Sequence, residues 1–218
     1  MKPSLIFAGN IRTGSTTLWD GLRNHPEIRI SRKKDGIRAS LGEDSPVYNY
    51  KIRAVSDKFP FYEKYNPEYY IDLFGNISEN IKVLFDGANL PNLLAGMRLV
   101  HIVKDIVKRN SYRLKRVGCI YILRDPYERL ESAMFTFGKM RTYHSELTQE
   151  FFTIEGKVNE EFVKGVILHL ADEYSLIKRT YDFVGPDNIL FLKLNQLNDE
   201  VQKQKIIDFL QLTGGIDL

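Results

Sequence analysis

Leu5-Ile-Phe-Ala-Gly-Asn-Ile-Arg-Thr-Gly-Ser-Thr-Thr17 is the stretch that decides how this chain is read. Its first four residues form a continuous apolar run ending in glycine, the pattern of a buried parallel strand that turns sharply. From Thr16 the residues Leu18, Trp19 and Leu22 recur at helical spacing until His25-Pro26 stops the helix. The unit is strand, glycine loop, helix. Such a loop presents backbone N–H groups and the positive end of a helix to whatever sits in its mouth, which suits an anion.

Further along, Ile81 to Phe85, Val117 to Leu123 and Ile189 to Leu194 read as strands, the second being the most apolar. Helices are expected over Pro91 to Val107, Tyr127 to Phe137, Glu161 to Val184 and Val201 to Leu212. Strands alternating with helices predict an α/β fold, P-loop-like and three-layered, with a central parallel sheet flanked by helices. Residues 32 to 70 read as an irregular excursion and 138 to 160 as a polar insert. Long loops of this kind are where function is often placed.

Composition sets the bounds. The 218 residues, 43% hydrophobic, support one domain with a sizeable core, so residues 1 to 218 are expected to form a single unit. Thirty-one Lys and Arg against 28 Asp and Glu leave a net charge of +3, too mild to point to nucleic acid. The single cysteine, Cys119, lies in an apolar run and reads as core, which excludes a disulfide framework. No stretch approaches the roughly 20 apolar residues of a membrane span, and the N-terminus lacks a signal-peptide core. A soluble, cytoplasmic chain is expected, with a trimmed leader or anchor left open.

Gly9-Asn-Ile-Arg-Thr-Gly-Ser-Thr16 matches the nucleotide pattern G-x-x-x-x-G-K-S/T except at the lysine, which is Ser15. Anion binding survives that change, while triphosphate chemistry loses its main cation. The charge has moved to Arg12, inside the loop. The bland alternative is a structural strand-to-helix connection.

A second motif follows the most apolar strand: Leu123-Arg-Asp-Pro-Tyr-Glu-Arg-Leu-Glu-Ser132. Arg124 falls at a strand's C-terminal end, where ligands gather in open α/β sheets. A turn and two helical turns could return the Ser132 hydroxyl to its side, and an arginine fork with a hydroxyl suits a phosphate dianion. On its own, Arg-Asp-Pro is more often a turn with a helix cap.

Together the two motifs resemble the sulfotransferases that use 3′-phosphoadenosine 5′-phosphosulfate (PAPS), in their carbohydrate-type and bacterial branch. The matching residues are Arg12-Thr-Gly-Ser-Thr-Thr17 with the following His25-Pro26, then Arg124, Arg129 and Ser132, and finally Tyr181 to Leu194. The resemblance implies that Arg12, Thr13, Gly14, Ser15, Thr16 and Thr17 hold the 5′-phosphosulfate. Arg124 and Ser132 would hold the 3′-phosphate, with Arg129 as a supporting or acceptor-side charge. Arg12, where the family usually has lysine, would stabilise the bridging oxygen as its bond to sulfur breaks, although an arginine fork is not equivalent to a lysine point charge. Lys34-Asp35 occupies the place of the family's Lys-Glu pair, which makes Asp35 the leading base and Lys34 a donor-site cation. A solvated charge run over Arg32 to Asp35 is the competing reading.

The implied reaction converts PAPS to PAP, its 3′,5′-bisphosphate product, without a metal. It sulfates a hydroxyl or amine acceptor, expected to be a carbohydrate or small molecule. Three departures from the family bear on turnover: Arg12, Gly87 in place of a lysine, and Asn195 in place of a strand-end glutamate. Asp86 is a weaker base candidate, read first as a turn or helix cap. Among the histidines, His25 is expected to end its helix, His101 and His169 to pack on helices, and His144 to lie in the insert. Two alternatives stay open: a P-loop nucleotide kinase or NTPase, and a PAP- or PAPS-binding protein of the same fold without turnover.

Overall fold

The computed structural model describes residues 2–9, 13–31, 69–95, 99–129, 131–132 and 172–218. Strand β1 (Ser4–Ala8) leads through the glycine loop to helix α1 (Ser15–Leu22), and β2 (Ile28–Ile30) follows at once. A short helix α2 (Tyr69–Asp72) precedes β3 (Val83–Asn89), and then come α3 (Leu90–Ala95) and α4 (Leu99–Asn110). Strand β4 (Val117–Leu123), α5 (Glu173–Val184), β5 (Ile189–Lys193) and α6 (Glu200–Leu210) complete the order.

Among the described residues five strands form one parallel sheet in the order β2-β3-β1-β4-β5. Side chains alternate across it, as a strand period of two requires. Leu5, Phe7, Leu84 and Cys119 join the core beneath α2, α3 and α4. Ile6, Ala8, Phe85, Ile120 and Ile122 join the core beneath α1 and α6. Both faces are therefore covered, which is why the strands read as unbroken apolar runs rather than alternating ones. Three layers result, as the sequence predicts.

Local chemistry explains the element ends. Pro91 is tolerated because it lies in the first turn of α3, where its missing N–H costs nothing. Asp172 caps α5 by accepting from Ser175 N at 3.3 Å, and Gly185, with φ of 84°, ends that helix. Helix α4 turns Val103 and Ile106 inward and pairs Arg109 with Asp105 on its outer side.

The expected elements need four adjustments. The second strand begins at Val83 rather than Ile81 and runs on to Asn89, through Asp86 and Gly87. β2 was not anticipated; its three residues become a strand by pairing with Val83, Leu84 and Phe85. The helix expected over Pro91 to Val107 is two helices, α3 and α4. The helix expected from Glu161 starts instead at Glu173, because Asp172 leaves the helical conformation to cap it. Cys119 is fully buried, where desolvation pushes its thiol well above the ordinary range. Among the described residues no helix is long and apolar enough to cross a membrane.

Candidate functional site

β1 lies at the centre of the sheet, and its connection runs through α1 to β2 on one side while β4 leads to β5 on the other. The crevice between the C-terminal ends of β1 and β4 is thus a topological switch point, the place where open parallel sheets take ligands. Both sequence motifs open there.

On the β1 side the chain leaves the sheet at Gly9. A β-carbon on Gly9 would stand 2.7 Å from Tyr121 Cα, so only glycine lets the loop hug β4. Thr13 is buried and Gly14 adopts φ 95° and ψ 15°, the left-handed conformation. Gly14 O then accepts from Leu18 N at 3.1 Å, the first bond of α1. The cap residue has no side chain to occupy the N–H groups of the first turn, and that turn holds no acidic residue. A helix start of this kind favours an anion. Ser15, which stands where a P-loop carries lysine, is turned inward, while Thr16 and Thr17 are exposed. The loop is supported from below: Leu194, Leu197 and Ile122 all reach the position a Gly14 β-carbon would take.

On the β4 side Arg124 follows Leu123 directly. It stands three residues beyond Tyr121, the neighbour of Gly9, which places it about 10 Å further along the strand direction. Arg124 Nε donates to Glu128 Oε2 at 3.4 Å, with the arginine side chain 23% exposed and the glutamate 63%. Asp125 caps the helical residues 126–129: its Oδ1 accepts from Tyr127 N at 2.9 Å and Glu128 N at 3.1 Å, while its carbonyl accepts from Arg129 N at 2.9 Å. Pro126 fits that first turn. Ser132, in the helical residues 131–132, is half-buried.

Arg129, read from sequence as a supporting or acceptor-side charge, is buried within the protein. Its Nη1 donates to Glu173 Oε1 at 3.2 Å, and the same oxygen accepts from Tyr121 OH at 3.4 Å.

β3 contributes a third group. Asp86 pairs in register with Phe7 and is completely buried. Its Oδ2 accepts from Tyr70 OH at 2.8 Å and its Oδ1 from Ala88 N at 2.9 Å. Asp86 therefore sits inside β3 rather than in the expected turn or helix cap, and the link to Tyr70 was not foreseen.

A five-stranded parallel sheet with a glycine loop after its central strand can be compared with solved structures as a whole. It matches the crystal structure of a sulfotransferase from Alicyclobacillus acidocaldarius with a TM-score of 0.64, at 16% identity, over 100% of this chain and 85% of that one. The chain has the sulfotransferase fold. A sulfotransferase domain from the curacin biosynthetic pathway also matches, with a TM-score of 0.50 at 17% identity, over 98% of this chain and 75% of the other. No family model matches the chain, and no curated protein does.

Within the sulfotransferase fold the described candidates follow two neighbouring parallel strands at the same edge of the sheet: Thr13, Gly14, Ser15, Thr16 and Thr17 after β1, Arg124 and Ser132 after β4. Arg12, Lys34 and Asp35 lie outside the described residues, as do His144, His169 and the insert at 138 to 160. Asn195 sits exposed in the 3-10 turn after β5. His25 ends α1 as expected, its Nδ1 accepting from Glu27 N at 3.2 Å. His101 is exposed on α4 rather than packed, because the helix turns its apolar stripe, not that position, inward. Sequence reasoning missed Tyr70, Glu173 and Leu194. No local pattern marks them, since each acts on a partner distant in sequence or on another element.

Proposed function

We propose that the chain transfers a sulfuryl group from PAPS to a hydroxyl-bearing acceptor, a carbohydrate or small molecule. One observation carries the reading. The glycine loop with its left-handed Gly14 and the Arg124 arm open onto the same switch-point crevice, one on each side.

The residues present fit the donor's two charged ends. A helix start whose cap residue is a glycine, with the hydroxyls of Thr16 and Thr17 in its first turn, suits the 5′-phosphosulfate. Arg124 and Ser132, beyond β4, suit the 3′-phosphate that sets PAPS apart from ordinary adenine nucleotides. The donor supplies an activated sulfuryl group: the acceptor oxygen forms a bond to sulfur as the sulfur's bond to the bridging oxygen breaks. In this reading Arg12 stabilises negative charge on that oxygen, Lys34 adds a second cation, and Asp35 takes the acceptor's proton. Positioning and electrostatics do most of the work in such transfers.

The competing reading, a nucleotide kinase or NTPase, draws on Asp86, a carboxylate near the end of the strand beside β1. Its oxygens are engaged by Tyr70 and Ala88 within the core, and Ser15 replaces the phosphate-binding lysine. Calorimetric titration with PAP, ADP and Mg-ATP separates the two. Tighter binding of PAP, with transfer of labelled sulfate from PAPS to a panel of glycans and alcohols, is the expected result. Preference for Mg-ATP would overturn the proposal.

A further inference from the structure

The Glu173 carboxylate receives hydrogen bonds from two residues that bracket Arg124. Tyr121, three positions before it on β4, donates at 3.4 Å, and Arg129, five positions after it on the helical segment, donates at 3.2 Å. Both bonds end on the same oxygen, Oε1. Glu173 is the first residue of α5, whose start is itself fixed by the Asp172 cap. A single carboxylate from a distant helix thus closes a bridge over the turn that carries Arg124.

Charge makes that bridge costly to remove. The Arg129 side chain is only 1% exposed, and among the described residues its Nε meets no acceptor. Glu173 is the acid that compensates its charge. A buried guanidinium stripped of its counter-charge is strongly unfavourable, and the segment bearing it shifts or opens to reach water. Ser132 follows three positions after Arg129. The strand end on the other side of the bridge is the one on which Gly9 rests, so the same carboxylate ties the Arg124 arm to the β-strand beneath the phosphate loop.

Resting on the donor reading above, we infer that Glu173 is a positioning residue for the 3′-phosphate end of the site, acting through Arg129 and Tyr121. It touches no ligand; it sets where Arg124 and Ser132 stand. Its loss falls on recognition of the 3′-phosphate and spares groups bound by the loop after β1.

The test compares PAP with ADP, which lacks the 3′-phosphate, by titration calorimetry on the wild type and on Glu173→Ala, Glu173→Gln, Arg124→Ala and the Glu173→Ala/Arg124→Ala double variant. In Glu173→Ala the preference for PAP over ADP falls by about tenfold while ADP affinity stays within about twofold, as expected for loss of charge-assisted hydrogen bonds to one phosphate. Glu173→Gln keeps an acceptor of the same size and retains part of the preference. The double variant shows no more loss than Arg124→Ala alone, since both changes disable one unit. Should Glu173→Ala fail to fold, Glu173→Gln and Tyr121→Phe carry the comparison, each with a smaller loss in the same ratio. Equal weakening of PAP and ADP, or an unchanged ratio in a folded variant, overturns the inference. A wild type with no preference for PAP instead overturns the donor reading, and the inference with it.

Discussion

A β-carbon on Gly14 would stand 2.5 Å from Leu194 Cδ1, so the chain after β1 packs against the turn after β5 at a position without a side chain. Two penalties follow for any other residue. The leucine tip can swing aside at small cost, whereas the φ of 95° stays strained for an L residue by about 1–3 kcal/mol. Gly14→Ala is expected to melt a few degrees lower and to bind PAP about tenfold more weakly, because the loop relaxes away from its anion-binding shape. Adding Leu194→Ala restores little of either. Full recovery in the double variant, by thermal melting and PAP titration, would place the cost in the clash rather than in the backbone.

Tyr70 and Asp86 form a polar pair sealed in the core, with both side chains completely buried and their oxygens 2.8 Å apart. Tyr70→Phe keeps the ring, and its T-shaped contact with Phe74, but deprives a buried carboxylate of a donor. A loss of about 1–3 kcal/mol in unfolding free energy is expected from denaturant titration. Combining it with Asp86→Asn should cost less than the sum of the two, since both changes disturb one contact. Strict additivity would show that the pair is not coupled.

Glu128 competes for Arg124. Its exposed carboxylate holds the arginine Nε at 3.4 Å and repels any phosphate brought there. Exposed pairs of this type contribute at most about 1 kcal/mol, so Glu128→Gln should tighten PAP binding by no more than about fivefold. The gain should shrink at high salt, where such charges are screened. A weakened affinity in calorimetry would mean that Glu128 orders Arg124 for binding instead.

Glu27 contributes to stability against acid. Partial burial acts to raise its pKa, yet the Lys82 hydrogen bond, donors from Thr213 N and Oγ1 at 2.7 Å each, and the Lys82 charge bring it from 4.5 down to about 2. Because the folded value lies below the ordinary one, its stabilisation is complete above pH 4.5 and is lost as pH falls toward 2. Glu27→Gln should therefore melt lower than wild type at neutral pH, with the gap closing across that window. A gap independent of pH would assign the effect to packing. Since Glu27 ties Thr213 to the N-terminal end of β3, PAP binding at neutral pH should be unaffected in the variant.

Much of the fold around the two motifs was legible in the sequence because its signals are contiguous. An apolar run followed by glycine, hydroxyl residues opening a helix, and Arg-Asp-Pro with its cap are all local patterns, and the structure keeps β1, α1, β4 and the Asp125 cap where those patterns put them. β2 had no such signal. Ile28-Arg-Ile30 is too short to show periodicity and becomes a strand only through the backbone of β3. The extension of β3 through Asp86 and Gly87 ran against strand preference, and it lies between β1 and a tyrosine sixteen positions away.

By itself, then, the sequence determined the layered α/β architecture and the two motifs that follow β1 and β4, since strand burial, helix starts and caps depend on neighbours a few residues apart. Only the tertiary structure decided that the motifs follow neighbouring strands at the same edge of the sheet, because strand order, and so the juxtaposition of β1 with β4, is a matter of long-range pairing. It decided too that Arg129 is a buried support held by Glu173, forty-four positions away. A buried cation takes its partner from whatever the fold brings within hydrogen-bonding distance, and sequence spacing says nothing of that.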